Sequence, residues 1–166
     1  MTNSNSQLIQ NKIIDGEQLY SDAINIILAS ANNQISIFDQ DLSHGNFSSI
    51  QKFELFQNFL NKSPSSQLII ILQNTSYLLQ KCPRLLNLLE NYGHKMKVSV
   101  TNQSVKHAKD CFILADNNNY IKRIHIDQAR FMYGIKDSNN STSLSTRFKE
   151  LQEEIQDYVS ITKLGL

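Results

Sequence analysis

The 166-residue sequence predicts an α/β domain built on one mixed, mostly parallel β-sheet with helices on both faces. Up to residue 100, helical and strand patterns alternate, which is typical of parallel strands joined by right-handed crossovers. After residue 110, closely spaced strand patterns surround an Asn-rich turn, which indicates antiparallel hairpins. The predicted order of elements is therefore α-β-α-β-α-β-β-β-β-α.

The elements before residue 101 follow from hydrophobic periodicity and from helix-breaking residues. They are a helix at 15–31, a strand at 35–38, a helix at 49–62, a strand at 68–72, a helix at 75–92 interrupted at Pro83, and a strand at 95–100. The run at 68–72 is apolar throughout and rich in β-branched residues. Such a run indicates a strand covered on both faces, so we place it in the centre of the sheet.

The second half of the domain begins with a hairpin. Apolar runs predict strands at 111–115, 120–124 and 129–133, and Asn residues that tolerate left-handed backbone separate the first two. Leu144, Phe148, Leu151, Ile155 and Val159 recur every three or four residues, which predicts a last helix. The domain is expected to span 15–160, between an N-terminal tail or short strand at 1–14 and a C-terminal tail at 161–166.

Composition narrows the functional classes. Sixteen Lys and Arg against fifteen Asp and Glu leave a net charge of +1, too little for a long-range field that gathers nucleic acid. Cys82 and Cys111 are far apart and form no Cys-x-x-Cys pair, so we expect no disulfide framework and no metal site. The polar start lacks secretory features, and no apolar stretch approaches the roughly 20 residues of a membrane span. We expect a cytoplasmic protein without a cofactor.

One segment resembles a known motif. Residues 104–123, SVKHAKDCFILADNNNYIKR, resemble the strand-turn-strand of the phospholipase D-like superfamily, where His-x-Lys-x4-Asp enters an apolar strand and Gly-Ser-x-Asn follows. The order of elements over 15–159 is similar to a single repeat of that fold, in a divergent bacterial branch. The resemblance implies a histidine that attacks phosphorus, a lysine that binds the phosphate oxygens, and a second histidine from a partner repeat that protonates the leaving group.

The motif departs from the family pattern. His107 and Lys109 have the His-x-Lys spacing, but the fifth residue after Lys109 is Leu114. If Asp116 is aligned with the family aspartate, Cys111 takes the lysine position and Lys109 the histidine position. The histidine, lysine and aspartate of the motif are all retained only if two residues bulge out between Lys109 and Asp116. In addition, no Gly-Ser-x-Asn segment follows. We therefore prefer loop roles for His107 and Lys109, with Asp116 shaping the Asn-rich turn.

Three functional hypotheses follow from the resemblance. The preferred one is a non-catalytic phospholipase D-like binding or assembly module, expected as a homodimer because single-repeat members pair two copies across their motif edges. The second is a phosphodiesterase or nuclease in which His107, Lys109 and Asp116 are reunited in the homodimer. The third is a regulatory partner of an acetyltransferase, beside which such a domain can occur.

Basic residues near the hairpin suggest an anion site. Lys109, Lys122, Arg123 and His125, together with Lys106, would meet at one end of adjacent strands and hold a phosphate-containing ligand. The alternative is a solvated basic edge that opposes strand-to-strand aggregation.

Other polar residues carry weaker signals. Asp39 and Asp41 follow a strand, where α/β sheets often place ligand groups, although such loop carboxylates are usually solvated or capping. His44, next to Gly45, is interpreted as a turn residue. Cys111 begins an apolar run and is interpreted as an inert core thiol.

Overall fold

A computed structural model describes residues 7–161 of the chain. Within this range eight strands form one sheet: β1 Ile14–Asp15, β2 Gln34–Asp39, β3 Gln67–Leu72, β4 Met96–Thr101, β5 Cys111–Ala115, β6 Asn119–His125, β7 Gln128–Gly134 and β8 Ile155–Tyr158. The α-helices are α1 Glu17–Ser30, α2 Ile50–Leu60, α3 Ser76–Lys81, α4 Pro83–Asn91 and α5 Ser138–Gln152. A 3₁₀ turn at Gln103–Val105 precedes β5.

The strand order is β1-β7-β6-β5-β2-β3-β4-β8. Strands β2, β3 and β4 are parallel neighbours, whereas the other five pairings of the described strands are antiparallel. The prediction of a mostly parallel sheet is therefore wrong, although the sheet is mixed and flanked by helices as expected. The alternating part of the chain supplies only two parallel pairs, and two short strands add antiparallel pairs at the margins, β1 on β7 and β8 on β4.

Helices cover both faces of the sheet and create two apolar layers. On one face α1, α2 and α4 pack on alternate residues of the strands, among them Ile37, Ile70 and Ile113. On the other face α5 packs against Phe38, Phe112 and neighbouring residues. The alternation follows from the strand pleat, which points successive side chains to opposite faces. Strand β3 contributes Ile70 to one layer and Ile71 to the other, which confirms a strand covered on both sides.

The last helix is shorter than predicted. Helix α5 begins at Ser138, where the Asp137 side chain accepts a hydrogen bond from the Asn140 amide, and it ends at Gln152. Residues 155–158 then form β8, with Tyr158 opposite Ser99 of β4. Ile155 follows Leu151 at helical spacing, so the pattern alone extends the helix too far.

The predicted tails and the prediction of no membrane span can be compared with the structure only over residues 7–161. The predicted tails fall partly outside the described residues, since positions 1–6 and 162–166 are not described, and Ile14–Asp15 forms β1. No helix within 7–161 is both long and apolar enough to cross a membrane. The cytoplasmic location stays a prediction.

Candidate functional site

Five polar or aromatic side chains meet where β2 ends and β5 begins. We call Glu17, Tyr20, Asp39, Cys111 and Arg123 the Arg123 cluster. Asp39 is the last residue of β2, and the antiparallel β2–β5 register places it beside Cys111. Cys111 lies opposite Arg123 in the β5–β6 pairing, so both face the layer that contains α1. The first turns of α1 bring Glu17 and Tyr20 over them.

The Arg123 guanidinium is the centre of this cluster. Its side chain is only 1% exposed, and its Nη1 and Nη2 donate to the two Glu17 carboxylate oxygens at 2.7 and 2.9 Å. Its Nε donates to the His125 carbonyl at 3.3 Å, and its Cζ lies 4.8 Å from the Tyr20 ring centroid. The hydrogen bond from Arg123 holds the pKa of the Glu17 carboxyl below its usual value. A carboxylate of the chain itself thus occupies the guanidinium fork.

Burial shifts the pKa values of the Asp39 carboxyl and the Cys111 thiol toward their protonated forms. Burial raises the pKa of the Asp39 carboxyl to about 7, against the opposing effect of a hydrogen bond from the Gln40 amide. Burial likewise raises the pKa of the Cys111 thiol well above its ordinary value, and the Tyr20 hydroxyl lies 3.7 Å from its Sγ. Because the thiolate is the reactive form of cysteine, the buried Cys111 is chemically inert.

A small cavity opens in front of Glu17. It measures about 280 Å³ and is lined by Glu17, Gln18, Ser43, His44, Gly45 and Asn46. His44 Nδ1 stands 3.5 Å from Glu17 Oε2. Gly45 has a φ of +94°, and a Cβ there would lie 2.7 Å from the Ile24 side chain, so the loop needs glycine at this position. Arg123 does not line the cavity, because Glu17 stands at its wall instead.

His107, Lys109 and Asp116, the residues of the predicted motif, are not brought together within the chain. His107 and Lys109 are exposed, and the Lys109 carbonyl accepts a hydrogen bond from the Ile126 amide just before β5. Asp116 follows the other end of β5. A five-residue strand spans about 17 Å, so Asp116 stands far from both basic residues.

Asp116 anchors a turn. Its carboxylate accepts hydrogen bonds from the backbone amides of Asn32, Asn33 and Gln34 at 2.8, 2.7 and 2.9 Å. Asn32 and Asn33 lie in the connection between α1 and β2, and Gln34 is the first residue of β2, so Asp116 stabilises that connection as well as the Asn-rich turn in which it lies. Its own φ is +57°, a left-handed conformation that aspartate tolerates.

Replacement of Asp116 tests this anchoring. We expect Asp116→Gly to lower the free energy of unfolding by about 2 kcal/mol, because three amides lose a charged acceptor. Glycine keeps the left-handed backbone accessible, so the loss reports the carboxylate. Asp116→Asn, which retains one acceptor oxygen, should lose about half as much. Urea unfolding followed by circular dichroism measures both variants, and a Gly variant as stable as the native protein would contradict the anchoring role.

The predicted anion residues are divided between the two faces of the sheet. Lys122 and Arg123 are successive residues of β6, so the pleat points them in opposite directions. Arg123 is buried against α1, whereas Lys122 is exposed on the α5 side. Lys109 is exposed before β5, and His125 Nδ1 accepts from the Asp127 amide at 3.2 Å. The Lys106 ammonium donates to the Gln73 carbonyl.

Sequence reasoning missed Glu17 and Tyr20. Glu17 looks like an ordinary first-turn carboxylate, and Tyr20 looks like a residue of the apolar helix face. Arg123 gave a signal, since it lies two residues after Ile121 and so shares its buried face. Within residues 7–161, no three His, Cys, Asp or Glu side chains lie together so as to hold a metal ion.

Solved structures of other proteins share this fold. TrmBL2, described as an archaeal chromatin protein with a novel mode of DNA binding, is 12% identical over 88% of this chain and 53% of its own, with a TM-score of 0.65. This chain therefore spans about half of that protein. Nuc from Salmonella typhimurium, described as a phospholipase D family member, is 12% identical over 83% of this chain and 90% of its own, with a TM-score of 0.61.

A third structure extends the likeness. NucT from Helicobacter pylori is 10% identical over 88% of this chain and 97% of its own, with a TM-score of 0.57. At such identities the likeness shows the fold alone, which is similar to that of a phospholipase D family structure. No curated protein matches the sequence significantly. The family model described as a domain of unknown function, DUF7931, matches residues 17–161, and the chain therefore belongs to that family.

Proposed function

We propose that this chain is a non-catalytic phospholipase D-like binding or assembly module from a divergent bacterial branch, and that it acts as a homodimer. The observation that carries the proposal is that His107 and Lys109 are exposed and that neither side chain takes part in a hydrogen bond or an ion pair with the residues that the structure describes. Phosphohistidine chemistry needs its nucleophile and its phosphate-binding cation held in fixed positions around one phosphorus centre, and side chains without partners are not held in that way.

The Arg123 cluster supports the same proposal. A guanidinium is the side chain best suited to bind a phosphate, but both of the terminal nitrogens of Arg123 already bind Glu17. Cys111, which takes the lysine position when Asp116 is aligned with the family aspartate, is a buried and protonated thiol. The groups at this end of the sheet therefore bind one another, an arrangement that favours a structural or binding role over phosphoryl transfer.

DNA is one ligand to consider, because the similar archaeal protein is described as binding it. A net charge of +1 argues against strong binding, since affinity for DNA depends mainly on neutralising several phosphates. We therefore favour a ligand other than nucleic acid.

Purified protein should turn over neither bis(p-nitrophenyl) phosphate nor single-stranded DNA. Product release measured by absorbance and by gel electrophoresis checks this expectation, and light scattering of the same sample should report a dimer. His107→Ala is the informative variant, with His94→Ala as a matched control at another exposed histidine. Turnover that disappears in the His107 variant but persists in the His94 variant would overturn the proposal in favour of the phosphodiesterase hypothesis.

A further inference from the structure

A second cavity lies on the other face of the sheet, between the first half of α5 and strands β6 and β7. We call it the α5 cavity, and it measures about 340 Å³. Its walls include Asp110, Lys122, Ile124, Met132, Asn140 and Leu144. The volume falls within the range of about 300–1,000 Å³ that is usual for small-molecule sites. The cavity is separate from the Arg123 cluster, because Lys122 and Arg123 point to opposite faces of β6.

The α5 cavity has apolar walls that water can reach. Ile124 is 41% exposed, which places it among the few large apolar side chains left exposed on the described surface. Met132 is half-buried and lies directly opposite Lys122 in the β6–β7 pairing, and Leu144 of α5 closes the inner side at 7% exposure. An aliphatic group placed here would remove apolar surface of both partners from water.

The charge at the α5 cavity is a single unpaired cation. The Asp110 carboxylate is neutralised by Arg147, whose Nε and Nη2 donate to its two oxygens at 2.9 Å each. Within residues 7–161, Lys122 takes part in no ion pair and no side-chain hydrogen bond. One positive charge therefore stands beside an apolar surface without a counter-charge from the described residues.

We propose that the α5 cavity binds a monocarboxylate with an aliphatic chain. The ligand carboxylate pairs with the Lys122 ammonium, and the chain lies along Ile124, Met132 and Leu144. An inorganic phosphate would pair with the lysine but leave the apolar walls exposed to water. An alkyl amine would cover the apolar walls but be repelled by the like charge of Lys122.

Octanoate is the probe for this site. We expect it to bind in a titration followed by chemical-shift changes of the Met132 methyl group and the Ile124 methyl groups. Lys122→Gln should weaken binding about ten-fold, because a charge-assisted contact is lost. Lys149→Gln, at an exposed lysine elsewhere on α5, should bind as the native protein does. In a series from butanoate to octanoate, each added methylene should tighten binding about four-fold.

Three outcomes would overturn the proposal. If octanoate causes no chemical-shift change, the cavity does not bind it. If the native protein and the Lys122 variant bind octanoate with equal affinity, the lysine has no role. If octylamine binds as tightly as octanoate, the cavity does not select an anion. Lys122 is exposed, so its variant should fold, and circular dichroism checks that it does. The result is independent of the proposed lack of catalysis, because His107 does not line this cavity.

Discussion

Asp39→Asn is expected to raise the free energy of unfolding at pH 8 by up to about 4 kcal/mol. The Asp39 carboxyl is buried, and desolvation raises its pKa from 3.8 to about 7 in the folded protein. A difference of about three pKa units corresponds to about 4 kcal/mol between the two protonation states. Asparagine has a similar shape, carries no charge, and keeps an oxygen that accepts from the Gln40 amide.

The sign of the pH dependence follows from the raised pKa of Asp39. Below about pH 4 the carboxyl is protonated in both the folded and the unfolded chain, so it carries no penalty. Between about pH 4 and pH 7 the unfolded chain ionises first, and the native protein loses stability as the pH rises. Above pH 7 the loss of stability is complete. The Asn variant has no carboxyl at this position and therefore does not lose this stability.

Urea unfolding of both proteins at pH 4 and pH 8 measures this effect. The stability difference between the Asn variant and the native protein should be small at pH 4 and large at pH 8. Taking the difference cancels the titration of all shared groups. Asp157→Asn, at an exposed carboxylate of β8, serves as the control and should show no such change. An Asp39 variant with the same pH profile as the native protein would mean that water reaches this carboxyl.

Glu17→Ala is expected to destabilise the protein more than Arg123→Met, although both remove the same ion pair. Without Glu17, the buried guanidinium of Arg123 loses its ion-pair partner and two hydrogen bonds, which should cost about 3 kcal/mol. Without Arg123, the Glu17 carboxylate is already 53% exposed and turns to water, so the expected cost is about 1 kcal/mol. Methionine also fills part of the arginine's volume.

The double variant completes the test of the Glu17–Arg123 pair. Glu17→Ala combined with Arg123→Met should be more stable than Glu17→Ala alone, because the unpaired buried charge is gone. Glu54→Ala, at an exposed glutamate of α2, controls for the loss of a surface carboxylate. Chemical unfolding of the native protein and the four variants gives the free energies. If Glu17→Ala costs no more than Glu54→Ala, the guanidinium is not desolvated as its burial indicates.

Continuous apolar runs made part of the fold predictable. The 68–72 run corresponds to β3, and the 111–115 and 120–124 runs correspond to the β5–β6 hairpin. Strand direction was not predictable in the same way, because a strand has the same pattern of apolar residues whichever way it runs. The two-residue β1 and the four-residue β8 are too short to show any period. Ile155 continues the helical spacing of α5, so the sequence pattern assigned residues of β8 to the last helix.

The site was less predictable than the fold because its contacts are distant in sequence. Lys122 and Arg123 are adjacent in the chain, which suggested a shared anion site, but the pleat assigns them to different faces. Glu17 and Arg123 are 106 positions apart, and neither residue type indicates the other. The polarity of Asp39 was visible, but its burial depends on α1, β5 and β6 closing around it.

Strand β2 pairs in parallel with β3 and antiparallel with β5, and this junction affects the order in which the strands of the sheet can pair during folding. Strands β5, β6 and β7 pair with their immediate neighbours along the chain, and β2, β3 and β4 are joined by successive crossovers. Among the described strands, these two groups are joined by the pairing of β2 with β5, which runs from Ile35 opposite Ala115 to Phe38 opposite Phe112 and closes a loop of about 80 residues. Closing a long loop costs conformational entropy before any contact compensates for it. We therefore expect the pairing of β2 with β5 to form late, as the step that joins the two halves into one cooperative unit.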